Sequence, residues 1–308
     1  MIKERQSYKK SKHNHLPVWC QVWYLDAVCG AGWDCRFMEK DGVVQAVWVF
    51  GEKMKWGLRS INFPTFLKYN GLFFGSGVMS EEKDEIGVKL MEALPRSVKM
   101  SVEFMPGIAA EVPSVVSSLE ERAYAQKWRT TYVWEIGAER ETLWRGMDGN
   151  YRRMINKQLD DCVLRIESKD KAMEMYDFHT EWVGDLREHG VKKEDFNRVL
   201  DVLYERESGE VLSIYRGEEK IASVLLLRDV DVAYYLLAVN NKEYKKIYPA
   251  VLMAEKVRGY ASEKGVRRVD FLGSDIESIS RVWRKLGAEK HEYLFMNKSF
   301  KLPFNTFI

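Results

Sequence analysis

The sequence predicts an α+β protein of two related units, each a mixed, mostly antiparallel sheet flanked by helices. Three observations carry this. At 308 residues the chain is long for one domain and comfortable for two. Strand-like runs alternate with amphipathic, helix-like runs along most of its length. One design also occurs twice. Cys35–Phe50 and Leu212–Leu227 each read as a strand, a charged turn containing glycine, then a longer apolar strand. Each copy follows helical sequence and precedes further strands, as a duplicated unit would. The boundary is expected near Trp128–Gly137, which gives units 1–130 and 131–308.

The elements follow in order. Trp19, Val22, Trp23 and Val28 fall near one helical face, predicting a helix over Pro17–Val28 that Gly30 and Gly32 stop. Cys35–Glu39 and Val43–Phe50 flank Lys40-Asp41-Gly42, a hairpin signal. Strand-like pieces continue at Met54–Leu58. Asn62–Gly75 is aromatic and glycine-punctuated, and reads as a loop lining a groove. Glu81–Leu94 reads as a helix capped by Ser80, with Pro95 beyond its end. Ser97–Phe104 alternates like a strand, and the run Met105–Ser117 breaks regularity. Trp128–Ile136 reads as a strand, Glu139–Leu159 as helix broken near Gly146–Gly149, and Val163–Glu167 as a strand. Lys169–Glu188 and Lys192–Glu207 read as two helices over one sheet face. Val211–Tyr215, Lys220–Arg228 and Val232–Val239 form a meander. Tyr248–Lys264 is a helix stopped by Gly265. Val266–Phe271 is a strand ending at Gly273. A helix capped by Ser274 or Asp275 then runs to Leu286, and Lys290–Met296 is the last strand.

Composition excludes several classes. A 46% hydrophobic and 13% aromatic content supplies sizeable cores and rules out wholesale disorder. A net charge of +2 creates no global field, so nucleic-acid binding does not follow from charge. Cys20, Cys29, Cys35 and Cys162 form no CxxC pair and are expected to be reduced thiols in a cytoplasmic protein; no metal site is predicted. Five basic residues stand in the first twelve (Lys3, Arg5, Lys9, Lys10, Lys12), with no apolar segment after them. This is no secretion signal; it is a solvated tail or a peripheral contact with anionic lipid or RNA. No apolar run reaches the roughly 18 residues that span a bilayer. GxSxG, HExxH, P-loop and dinucleotide-binding glycine motifs are absent. His179 and His189 flank Glu181 without metal spacing and read as structural.

Two stretches carry candidate site residues by their own chemistry. In DFLGSD a strand ends in a turn that opens a helix. Asp270, Ser274 and Asp275 thereby meet backbone N–H groups that hold an anion or orient a carbonyl. The plainer reading is that Ser274 and Asp275 cap the helix. Lys68, Tyr69 and Asn70 sit in the glycine-flanked loop and suit an acceptor bound between the domains.

The order of segments from Trp128 to Phe300 resembles the second half of the Fem-type and related GNAT-like acyltransferases. The residues that carry it are NYRRMINKQ (Asn150–Gln158), VLSIYRGEEKIASVLLL, EYKKIYPAVLMAEKVRGYASEKG and GVRRVDFLGSDIESISRVWRKLGAEKHEY. The first half is similar in outline. Fem enzymes add amino acids to peptidoglycan precursors, and their relatives include many acetyltransferase-like proteins. The resemblance implies two tandem GNAT-like domains, 1–130 on the acceptor side and 131–308 with the Fem-like motifs. It implies transfer of an acetyl, longer acyl or aminoacyl group to an amine. The donor, acyl-CoA or aminoacyl-tRNA, would lie in a splayed gap between two strands. The acceptor would be a small molecule, a peptidoglycan precursor or another anionic metabolite, and tRNA would be a partner only in the aminoacyl case.

The resemblance also assigns residues. Arg152 and Arg153 are implied to grip an anionic group bidentately, or else form a surface salt-bridge helix. Tyr293 resembles a family tyrosine near the cleft, and Tyr244 and Tyr248 are candidate proton relays. Ordinary GNAT enzymes carry Arg/Gln-x-x-Gly-x-Gly/Ala before the long helix. Here Ala238–Val257 has no glycine, as in Fem-type domains; Lys242, Lys245, Lys246 and the helix start at Tyr248-Pro249 supply positive charge instead. Fem enzymes have Phe-Lys-x-x-Phe-Gly where this chain has Val282-Trp283-Arg284-Lys285-Leu286-Gly287. Trp283 thus replaces a lysine implicated with the donor's aminoacyl end, and either stacks on substrate or fills the core; Arg284 is one position away. An inactive binding protein of the same fold is the alternative function, favoured by the missing glycines and by Trp283.

Overall fold

The two hairpins of repeated design lie one in each of two compact units. The computed structural model describes residues 2–62, 64, 66–137, 140–273 and 275–299. The chain runs β1 (Lys3–Glu4), α1 (Arg5–Tyr8), α2 (Val22–Cys29), β2 (Trp33–Lys40), β3 (Val43–Lys55), β4 (Leu58–Asn62), β5 (Gly71–Phe74), α3 (Ser80–Glu92), β6 (Lys99–Glu103), α4 (Ile108–Glu111), α5 (Pro113–Glu121) and β7 (Ala125–Glu135). It continues with α6 (Arg140–Gly146), α7 (Gly149–Gln158), β8 (Val163–Ile166), α8 (Lys169–Ala172), α9 (Glu174–Trp182), α10 (Lys193–Glu205), β9 (Gly209–Arg216), β10 (Glu219–Arg228), β11 (Val232–Asn240), α11 (Pro249–Glu263), β12 (Arg268–Asp270), α12 (Glu277–Lys285) and β13 (Glu289–Ser299).

One unit orders its strands β1-β2-β3-β4-β6-β13, with β5 also on β3; the other orders them β8-β9-β10-β11-β12-β7. Each has one parallel pair, β4 with β6 and β11 with β12, and is otherwise antiparallel. The plan is the same in both: an antiparallel meander, a helical crossover (α3 or α11), then a strand parallel to the last one. A parallel pair needs such a crossover because its second strand must re-enter at the same end.

The first unit is completed by a strand from far along the chain, while the paired part of β7 belongs to the second. β13 pairs with β6, from Phe295↔Glu103 to Ser299↔Lys99. β7 pairs with β12, from Glu135↔Arg268 to Val133↔Asp270. The compact units are therefore Met1–Arg129 with the chain from Glu292, and Thr130–His291. The sequence reading assigned the last strand to the second unit. Its apolar face, Leu294 and Met296, is instead buried with Trp48, Met100 and Val102 in the core of the first. Alternation reveals a strand but not its partner.

Both cores are built from strand faces and one long crossover helix. Val44 and Ala46–Phe50 of β3 are fully buried. Gly87 lets α3 lie close, since a Cβ there would sit 2.9 Å from the side chains of Leu72 and Val115. In the second unit Val251, Leu252, Ala254 and Val257 of α11 pack with Val224, Leu226 and Val269 of the sheet.

Several boundaries differ from the sequence reading. The first helix is split: a 3₁₀ turn covers Val18–Cys20, and α2 starts after Gln21. The Gln21 amide donates to the carbonyls of His13 and Leu16 at 3.0 and 2.7 Å, which holds the break. Met79 rather than Ser80 caps α3. Ile276 precedes α12, rather than Ser274 or Asp275; Ser274 lies outside the described residues. Lys169–Glu188 is α8, α9 and a 3₁₀ turn, interrupted by Gly184 at φ +154°. Met105–Ser117 contains α4 and the start of α5, with Pro113 in the first turn where its missing N–H costs nothing. The groove-lining loop is largely core: Phe66, Leu67, Tyr69 and Asn70 are buried, and Gly71–Phe74 is β5. Met54–Leu58 is a hairpin tip rather than a strand of its own. All four cysteines are free thiols. Among the described residues no helix is long and apolar enough to cross a membrane.

The strand exchange makes a specific prediction. A fragment spanning Thr130–His291 contains its whole sheet and should unfold cooperatively in urea, followed by circular dichroism. A fragment 1–130 exposes the β6 edge and the apolar residues that β13 covers, and should show no cooperative transition. A sharp transition from 1–130 alone would contradict this account.

Candidate functional site

The short pairing of β11 with β12 opens a gap. The two strands match only from Val232↔Arg268 to Tyr234↔Asp270. β12 stops there, while β11 continues to Asn240. The stop is enforced by a turn in which Leu272 and Gly273 take φ of +53° and +88°. A leucine in that region is strained, so something must hold it. Asp270 does: its Oδ1 accepts from Leu272 N at 2.8 Å and from Thr131 Oγ1 at 2.5 Å. Thr131 Oγ1 in turn accepts from Gly273 N at 2.9 Å. Thr131 and Asp270 are both buried.

Beside the exposed half of β11 lies a pocket of about 170 Å³. Its walls are Ser223 of β10, Tyr235, Ala238 and Asn240 of β11, Ala250 and Met253 of α11, and Ser278, Ile279, Val282 and Trp283 of α12. A β-bulge shapes it. Leu225 pairs with Leu237 but Leu226 with Tyr235, which leaves Leu236 as the extra residue. The extra residue reverses the alternation, so Ala238 and Asn240 share a wall with Tyr235 while Val239 is buried.

Most of this wall is apolar, but two buried polar atoms in it, Tyr235 Oη and Trp283 Nε1, have no hydrogen-bond partner among the described residues. Burial pushes the Tyr235 phenol well above its ordinary range, so it stays an O–H donor. Leaving a donor buried and unpaired costs about 1–3 kcal/mol. Trp283 stacks on Phe271 at 3.9 Å with planes 8° apart, and its ring meets Tyr235 edge-on at 5.7 Å. It is at once a core residue and a wall of the pocket.

The other predicted residues of this unit are placed as follows. Tyr248 is left-handed (φ 54°), half exposed, and immediately precedes Pro249 at the start of α11. The N–H groups of Val251 and Leu252 turn back to the Tyr248 carbonyl at 3.0 and 3.2 Å. Pro249 has no N–H at all, so this helix start does not form a glycine-type amide cradle. Lys242, Lys245 and Lys246 are exposed on the 3₁₀ turn before it. Tyr244 donates to Glu219, and this hydrogen bond raises its phenol pKa. Tyr151 of α7 meets Tyr248 at 5.9 Å. Arg152 beside it is half-buried; Arg153 is exposed and donates to Asn150. Arg284 is exposed and paired with Glu277, and Asp275 is exposed. None of these last residues lines the pocket.

Lys68, Tyr69, Asn70 and Tyr293 come together in the other unit. Lys68 Nζ lies 2.9 Å from Glu103 Oε1 and donates to Tyr293 Oη at 2.7 Å. Arg129 Nη1 approaches the same Glu103 oxygen at 3.0 Å. Asn70 accepts from Glu103 N and donates to Ser101 O, both at 2.9 Å. Tyr69 meets Tyr293 edge-on at 5.7 Å. Glu103 is buried, so two cations share one desolvated carboxylate. Sequence reasoning missed Glu103 and Arg129. Each sits inside a strand pattern of otherwise ordinary alternation, and only the arrival of β13 marks them. Tyr235 and the bulge were missed for the same reason.

Residues 146–284 match the family described as an acetyltransferase (GNAT) domain, a span that covers α7 through α12 and the pocket. No curated protein sequence matches the chain. Among solved structures, FemX is 13% identical over 91% of each chain, with a TM-score of 0.63. The C-terminal domain of a putative lysylphosphatidylglycerol synthetase from Agrobacterium fabrum is 6% identical over 95% of this chain and 91% of that one, with a TM-score of 0.53. A tandem GNAT protein from the clavulanic acid biosynthesis pathway is 9% identical over 98% and 99%, with a TM-score of 0.50. At these identities the likeness is one of fold. Residues 146–284 are thus similar to a GNAT domain, and the fold of the chain is like that of FemX and of a tandem GNAT protein.

Replacing Thr131 with valine keeps the shape but removes the hydroxyl that joins Asp270 to Gly273. We expect a loss of about 1–3 kcal/mol, read from urea unfolding, because two buried groups lose their partner. An unchanged midpoint would show that the turn holds itself.

Proposed function

We propose that the chain is an N-acyltransferase that holds an acyl donor in the gap beside β11 and passes the acyl group to an amine. One observation carries this reading: an apolar pocket at the divergence of two parallel strands contains two buried hydrogen-bond donors with no partner among the described residues. A carbonyl carbon attacked by an amine develops negative charge on its oxygen, and fixed donors in a dry site stabilise that charge. The Tyr235 O–H and the Trp283 N–H are assigned to the donor's polar end, and Ala238, Met253, Ile279 and Val282 to its apolar part. The amine nitrogen bonds to the carbonyl carbon, the bond to the leaving group breaks, and the proton shed by nitrogen goes to the leaving group or to water.

The match to a GNAT domain supports an acyl thioester of coenzyme A as donor. The pocket suits the acyl and thioester end. The helix start at Tyr248-Pro249 does not suit a pyrophosphate in the glycine-cradled manner, so Lys242, Lys245, Lys246, Arg152 and Arg153 are assigned to the donor's phosphates by charge. Aminoacyl-tRNA is not assigned, because Trp283 occupies the place of the Fem lysine and packs on Phe271. Asp270 takes a positioning role through the turn. In the first unit Lys68 and Tyr293 are assigned to an anionic acceptor, and the fold likeness to FemX supports an acceptor of the peptidoglycan-precursor class. A second reading, a binding protein without catalysis, is favoured by the glycine-free start of α11.

Tyr235→Phe tests the donor pocket by acting in opposite directions on stability and on affinity. The free protein should be as stable as the parent or about 1 kcal/mol more stable, because an unpaired buried hydroxyl is removed. Affinity for acetyl-CoA or a longer acyl-CoA, measured by calorimetry, should fall about fivefold to tenfold. In the parent, donor binding should raise the melting temperature by mass action. Absence of any shift with acetyl-CoA, longer acyl-CoA or free coenzyme A would leave the acyltransferase reading without support.

A further inference from the structure

A hairpin tip in the first unit has no role in either cluster described above. β3 and β4 pair as Gly51↔Asn62, Lys53↔Ser60, Met54↔Arg59 and Lys55↔Leu58, with Trp56 and Gly57 as a two-residue turn. The neighbouring strands end early. β2 reaches only Gly51, through Trp33, and β6 joins β4 only from Ser60↔Lys99. Lys53–Leu58 is therefore a free two-stranded ribbon, whose arms extend about 10 Å at the usual rise per residue.

The tip carries the wrong residues for a solvated turn. Trp56 takes φ of +52° and Gly57 +74°. Such turns favour Asn-Gly or Asp-Gly, and a bulky residue at positive φ is strained. Trp56 is nonetheless 87% exposed, with Met54 at 57% and Leu58 at 39% beside it. The fold buries none of the three. Lys53, Lys55 and Arg59 stand on the same two arms, Lys55 level with Leu58 and Arg59 with Met54, and Lys99 pairs with Ser60 at the base; Glu52 lies 3.0 Å from Arg59. Lys55 lies over the Trp56 ring at 4.5 Å.

We infer that this ribbon is a lipid-surface anchor: Trp56, Met54 and Leu58 enter the interface of an anionic bilayer while the lysines of the ribbon meet its headgroups. Tryptophan settles at the headgroup level because its ring is apolar and its N–H polar, and interfacial elements insert by roughly 5–10 Å, the reach of this ribbon. The charge complementarity selects anionic lipid. A protein partner is disfavoured by size, since a stable interface needs about 800 Å² on each side and a two-residue tip offers far less. A nucleic acid would use the lysines and the indole, but gives Met54 and Leu58 nothing to enter. The inference is independent of the acyltransferase reading.

The test is co-sedimentation of the full chain with vesicles of equimolar phosphatidylglycerol and phosphatidylcholine, with vesicles of phosphatidylcholine alone, and with oligothymidylate as competitor. The chain should bind the anionic vesicles, and added salt should release it. Trp56→Ser should lower the partition coefficient about tenfold, and Trp56→Phe should restore most of it. Lys53→Gln with Lys55→Gln should lower it about thirtyfold, at roughly fivefold per lysine. These exposed positions should leave the melting temperature unchanged, and the lysine variant gives a readout should Trp56→Ser fail to fold. Equal binding to neutral and anionic vesicles, equal partition of parent and variants, or tight oligothymidylate binding that excludes vesicles would each overturn the inference.

Discussion

The second unit depends on one pairing that ends early. Three matched positions join β11 to β12, and then the Thr131–Asp270–Gly273 hydrogen bonds turn the chain away. Had β12 continued, the edge of β11 would be covered and the sheet closed. Because it stops, the far half of β11 keeps a free side, and α11 and α12 roof the space. A parallel strand is a suitable place for such a stop. Its partner arrives through a crossover helix, so the helix start and the open strand edge are brought to the same end of the sheet. Asp270 thus shapes the pocket without lining it.

The first unit depends on a different constraint. Its sheet lacks a strand until the end of the chain returns as β13. That return also brings Tyr293 to Lys68, 225 positions away, and seats Phe295 under the Arg129 guanidinium at 3.9 Å. The buried Glu103 carboxylate is held by Lys68 and Arg129, and β13 joins the cluster through Tyr293 on Lys68. A buried polar cluster joined across so long a sequence separation is costly if incomplete and so favours a single strand order.

Much of the architecture was legible because it is written in local periodicity. The hairpins at Cys35–Phe50 and Leu212–Leu227 announce themselves by charged glycine turns between apolar runs, and their likeness exposes the duplication. The helix at Pro249–Glu263 is bounded by a proline and a glycine. What was not legible depends on partners rather than on patterns. Nothing in Lys290–Met296 says that it completes the other sheet. Nothing in VAYYLLAVN marks Leu236 as an extra residue, and a strict alternation puts Leu237, not Ala238, beside Tyr235. The DFLGSD turn was read for its amides and polar side chains, whereas Asp270 is spent on the backbone of the turn itself. The groove expected at Asn62–Gly75 failed because aromatic, glycine-punctuated sequence serves a buried strand as well as an open loop.

Trp283 brings these threads to one point. Its position is where the resembling Fem enzymes carry a lysine, and a lysine there would need a counter-charge or water. The indole instead stacks on Phe271 and edges Tyr235, which converts the same corner into an apolar wall with two neutral donors. A neutral, largely dry wall discriminates against a charged guest, because desolvating an ammonium without a partner is far costlier than desolvating an amide or an ester. In the acyltransfer reading, the group moved would then be an uncharged acyl group rather than an aminoacyl one.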